Sequence, residues 1–175
     1  FNKCETGANG GGITIYITQT KRHSAVIEKC TFSNNVAANN GGGIYAECRD
    51  LLTIKSNTFT NNKALNGSSL WSMVGWYNGN SERNNALELL DNKFNFDATD
   101  QKYSVYITTN NLQDGINPNA NLFIDGNQFS SSNINGENQK HLFIFENGTF
   151  QSILFSECNC VQGGENTVSI IAANK

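Results

Sequence analysis

The chain has 175 residues, 38% of them hydrophobic, enough for one domain with a sizeable core. Its formal net charge of −3 argues against a nucleic-acid partner, because such binders carry a basic surplus on one face. No run of about 18 apolar residues is present, so no helix of this segment spans a membrane.

Asparagine supplies 29 residues and glycine 16, and Pro118 is the single proline. Both abundant residues tolerate left-handed backbone and suit tight turns, and both are poor in helices. Apolar residues recur too regularly for disorder. Many short strands joined by turns follow as the expectation.

Taken in chain order, one pattern returns: apolar-x-apolar-x-x-Asn-x-Phe, with substitutions. Phe1 stands as the last position of an earlier copy. Ala25, Ile27, Cys30 and Phe32 form the next, followed by Leu52, Ile54, Asn57 and Phe59, then Leu87, Leu89, Asn92 and Phe94. Leu122, Ile124, Asn127 and Phe129 continue it, and Ile153, Phe155, Cys158 and Cys160 form a degenerate last copy. The final positions 1, 32, 59, 94, 129 and 160 are spaced by 31, 27, 35, 35 and 31 residues.

A second apolar run follows each copy and alternates with period two, as a half-buried strand does. The runs begin at Ile13, Ile44, Leu70, Val105, Leu142 and Val168. Each repeat thus reads as two short strands and a bend, too small to bury its own face, so neighbours must stack. A right-handed parallel β-helix accounts for the whole pattern. It is expected as one all-β solenoid segment over residues 1–175, with about six coils of 27–35 residues. Equivalent residues would stack about 4.8 Å apart, giving a rod roughly 25–30 Å long. The aliphatic and Phe columns would fill the interior. The column of Cys30, Asn57, Asn92, Asn127 and Cys158 would form an asparagine ladder at a tight turn. The stretches Trp76–Asn85 and Asn111–Asn121 would project outward. The chain begins and ends inside the pattern, so a fragment of a longer helix is expected.

Phe32-Ser33-Asn34-Asn35 and Phe59-Thr60-Asn61-Asn62 fit Phe-x-x-Asn, while Gly10–Ile13 and Gly41–Ile44 fit a Gly-Gly-Gly-Ile signature. This pair of motifs resembles the polymorphic outer membrane protein repeats of chlamydiae and similar surface proteins of protists. The resemblance is close over residues 1–62 and fades beyond Asn62. It implies a secreted or surface-exposed β-helix, often adhesive, and specifies fold better than function.

Candidate sites are few. The five cysteines include no Cys-x-x-Cys pair, and His23 and His141 lie about four coils apart, so no metal site and no cofactor are expected. Cys48 and Cys160 read as buried thiols, whereas Cys4 and Cys30, about one coil apart, are candidates for a disulfide in an oxidising compartment. Asn66-Gly67-Ser68 and Asn147-Gly148-Thr149 are glycosylation sequons near turns. Many parallel β-helices act on polysaccharides. The only carboxylate pair in adjacent coils is Asp91 with Asp125, offset by one position, and turn chemistry alone explains Asp there.

Alternation sends Tyr45, Trp71, Tyr106 and Phe143 outward in consecutive coils, an aromatic stripe suited to a sugar or a partner unless the Trp76–Tyr77 loop covers it. The expected role is structural or adhesive, displaying loops, glycans and this stripe. The expected partners are neighbouring coils or copies of the same protein, and glycans. A polysaccharide lyase or hydrolase and a non-catalytic glycan binder are the alternatives.

Overall fold

The computed structural model describes residues 1–17, 23–48, 50–75, 85–96, 103–109, 120–131, 140–145, 150–161 and 167–171. These residues build a right-handed parallel β-helix from three stacked sheets. Sheet A contains Ser24–Glu28, Leu51–Lys55, Asn85–Leu90, Ala120–Asp125 and Phe150–Ser156, paired in that order. Sheet B contains Thr31–Ser33, Thr58–Thr60, Lys93–Phe96, Gln128–Ser131 and Asn159–Val161. Sheet C is six strands deep: Ile13–Ile17, Ile44–Cys48, Leu70–Val74, Val105–Thr109, Lys140–Phe145 and Thr167–Ile171. Every ladder is parallel, and Glu5–Thr6 pairs with Val36–Ala37 beside them.

The two-strand repeat read from the sequence becomes three strands. The aliphatic pair and the Phe lie on different faces because a corner separates them. At that corner Lys29, Ser56, Asp91 and Glu157 hold φ of 55°, 55°, 54° and 47°, and Gly126 takes the same place at 65°. A second left-handed column follows the Phe: Lys3, Asn34 and Asn61, with φ between 51° and 53°. Gly10, Gly41 and Gly67 make a third, before sheet C. One left-handed residue per corner redirects the strand without breaking the stack, although it is unfavourable for a residue with a Cβ.

Asparagine ladders stabilise the first two corners. Cys30 N, Asn57 N and Asn92 N each donate to the side-chain Oδ1 of the ladder residue one coil on, at 2.9–3.0 Å. Asn57 Nδ2 also donates to Ile27 O and to Asn92 Oδ1, and Asn92 Nδ2 repeats this with Ile54 O and Asn127 Oδ1. These side chains are buried and fully used, as buried amides must be. A second ladder runs through Cys4, Asn35 and Asn62 at the other end of sheet B. A third lies on the outer surface: Asn40 donates to Asn9 Oδ1, and Asn66 Nδ2 donates to Asn40 Oδ1 at 3.0 Å. The sequence reading identifies only the first, because a chain this rich in asparagine hides further columns among unrelated copies.

Between the first two ladders stands the Phe column. Phe1, Phe32, Phe59, Phe94 and Phe129 stack face to face, with centroids 4.9–5.1 Å apart and planes within 14°. The columns Leu52–Leu87–Leu122 and Ile54–Leu89–Ile124 from sheet A close against it, with Ile44, Leu70 and Val105 from sheet C. Cys48 joins this core, fully buried as expected.

Candidate functional site

Inward positions are committed to stacking, so outward side chains carry whatever this surface recognises. On sheet C the backbone register places Thr14, Tyr45, Trp71, Tyr106, Phe143 and Ser169 in one column. In-register parallel pairing brings equivalent side chains within ring-stacking distance. Tyr45 and Trp71 stack at 4.6 Å with planes 4° apart, and Trp71 and Tyr106 at 6.5 Å and 9°. Tyr16 meets Tyr45 edge-on, and Tyr103 meets Tyr106 likewise.

This geometry changes the chemistry expected of the stripe. A sugar stacks on a free ring face, but here ring faces lie against other rings, and Trp71 is flanked on both sides. What remains for contact is ring edge and hydroxyl. Tyr45 is only 6% exposed, so it supports the column from within, while Trp71 and Tyr106 are half-buried and Tyr16 is 57% exposed. The Tyr45 hydroxyl donates to Glu47 Oε1. Burial first, and then that carboxylate, push the Tyr45 phenol well above its usual range, and burial raises Tyr106 too. Both stay neutral donors at any physiological pH. Residues 76–84, which include the Trp76–Tyr77 loop, lie outside the described residues, as do 110–119.

Asp91 and Asp125 come from neighbouring coils, with Asp91 N donating to Asp125 O at 2.9 Å. Their side chains occupy different columns. Asp125 pairs with Leu90 in the register and accepts from Ser156 Oγ at 2.6 Å. Asp91 sits one place later, at the left-handed corner, with Oδ1 packed over the α-carbon of Gly126. The one-residue offset in the sequence is therefore preserved in space.

The Cys4–Cys30 bridge is not made: both are free thiols. Cys4 occupies the Asn35–Asn62 ladder and Cys30 the Asn57–Asn92 ladder. Those columns lie at opposite ends of the sheet B strand, on the order of 15 Å apart along the chain at about 3.3 Å per residue. A disulfide needs α-carbons about 4.4–6.8 Å apart. Spacing of one coil is the wrong criterion, because it ignores the position within the coil. Asn66 lies half-buried on the outer ladder. Asn147 lies outside the described residues.

Residues 29–47 match the Chlamydia polymorphic membrane protein repeat. The matched stretch holds the left-handed corner at Lys29, Cys30 of the inner ladder, stacked Phe32, Asn35 of the second ladder, and the glycines leading into Ile44–Cys48. Each of these residues serves the coil-to-coil contact, so the repeat is a device for stacking. That repeat suggests a surface or outer-membrane β-helix protein. No curated protein and no solved structure matches the chain.

Proposed function

We propose that this chain is a structural and adhesive segment of a secreted or cell-surface β-helix protein, a stiff stack that presents the outer face of sheet C to a protein partner. The observation that carries this reading is the outward aromatic column. Trp71 and Tyr106 hold half-exposed rings in register over the buried Tyr45, and half-exposed aromatics anchor interfaces well. The repeat match supports a surface setting.

The test has two arms. Protease shaving of intact source cells should release peptides of this chain. Beads coated with the chain should bind cells of the source organism or of another, and Trp71→Ala should reduce that binding at least about tenfold, a loss of about 1.4 kcal/mol or more, with circular dichroism unchanged. Equal binding by the variant would remove the aromatic edge from the contact. Polysaccharide turnover abolished by Asp91→Asn or Asp125→Asn would replace the structural reading with the enzymatic one.

A further inference from the structure

The outer ladder treats its asparagines differently from the inner ones. Asn57 and Asn92 spend both amide protons on buried acceptors, one on a carbonyl of the preceding coil and one on the next asparagine. Any substituent on those nitrogens would break a buried bond. Among the described residues, Asn66 Nδ2 makes a single ladder bond, to Asn40 Oδ1 at 3.0 Å, from a half-exposed corner. An N-glycosidic amide keeps one N–H, so a sugar on Asn66 leaves that bond intact.

The third residue of the sequon gives an independent indication. Ser68 is fully buried, and its hydroxyl has no hydrogen-bond partner among the described residues. Its column holds Gly11 and Gly42 in the two preceding coils and Tyr103 in the following one, so the position accepts a side chain without a common one being required. Ser72, the other such hydroxyl, differs: its column holds Ala46 and Ile107, where a side chain fills volume. A buried hydroxyl without a partner costs about 1–3 kcal/mol, and such a group calls for an explanation outside the fold. Ser68 has one before folding, because the Asn-x-Ser hydroxyl is what the glycan transferase reads.

We propose that Asn66 is an N-glycan acceptor, modified before its coil closes, and that the fold is built to keep the modified side chain in the outer ladder. The donor is a polyisoprenyl-diphosphate-linked oligosaccharide. Its anomeric carbon–oxygen bond breaks, a bond from Nδ2 to that carbon forms, Nδ2 gives up one proton, and the lipid diphosphate leaves. Gly67 turns directly over Leu70 O and the Trp71 α-carbon, so the glycan would stand beside the aromatic edge.

This assignment rests on the secreted or surface reading only for the route the chain takes, and the experiment supplies that route. The full chain is secreted from eukaryotic cells behind a cleavable leader, and the folded fraction is mapped by peptide mass spectrometry. The Asn66 peptide should carry a glycan that a peptide-N-glycosidase removes. Ser68→Ala should lose it while melting no lower than the parent. A bare Asn66 in folded material, a glycan found only in aggregated material, or a lower melting temperature for Ser68→Ala would each overturn the proposal. Because the leader provides the compartment, a bare Asn66 counts against the site alone, and cell shaving tests the location separately.

Discussion

Cys48 ends the Ile44–Cys48 strand with no exposed surface, and burial first, then the Glu47 carboxylate, push its thiol from 9.0 up to about 12. The sign of the linkage follows from proton binding. Between those two values the folded chain still holds the thiol proton and the unfolded chain has lost it. The contribution is therefore complete below about pH 9 and drains as pH rises toward 12, by up to about 1.4 kcal/mol per pH unit. Melting temperature should fall more steeply above pH 9 for the parent than for Cys48→Ala, and parallel curves would show that Cys48 ionises freely in the folded chain. The inward place of Cys48 is legible from alternation alone. The left-handed corners are not, because Lys29, Ser56 and Glu157 are not residues that favour φ near +50°, and only their place beside a ladder residue holds them there. The burial of Tyr45 escapes the sequence for a related reason. Alternation gives the side of the sheet and not the cover supplied by Trp71 and Tyr16.

At the scale of the element, the glycine run before sheet C does more than start a strand. A Cβ on Gly12 or Gly43 would fall 3.0 Å from the ring of Phe32 or Phe59, so these glycines leave room for the aromatic column. A Cβ on Gly42 would lie 2.7 Å from Lys63 N, and closer still to the carbonyl oxygens of Lys63 and Ser68, all backbone atoms that cannot step aside. Gly42→Ala should cost about 3 kcal/mol or more in chemical denaturation. Gly7 is the internal control: a Cβ there would meet nothing within 4 Å, and Gly7→Ala should stay within about 0.5 kcal/mol. Equal effects would mean that the coils do not approach as closely as these contacts require. The motif itself is plain in the sequence. Its reason is not, because the clash is with a coil about 20–30 residues away, and no local propensity encodes that.

For the whole molecule, each strand of the described residues pairs only with those of the neighbouring coils, so stability should behave as a sum of nearest-neighbour terms along the stack. Phe94 tests this well. Its ring contacts Phe59 on one side at 4.9 Å and Phe129 on the other at 5.1 Å, and it has no exposed surface. Phe94→Ala should cost about 3–5 kcal/mol, because a large cavity opens between two rings that backbone pairing keeps from closing. The loss should be local. Amide hydrogen exchange should speed up in Thr58–Thr60, Lys93–Phe96 and Gln128–Ser131, while Ile13–Ile17 and Ile44–Cys48 keep their protection. In a globular core the same lesion would lower protection everywhere, since all elements share one cooperative unit. Uniform acceleration across the three sheets would therefore reject the one-dimensional description. Acceleration confined to the coils on either side of Phe94 would show that its neighbours can loosen while distant coils, and the Tyr45 end of the outer column, hold their shape.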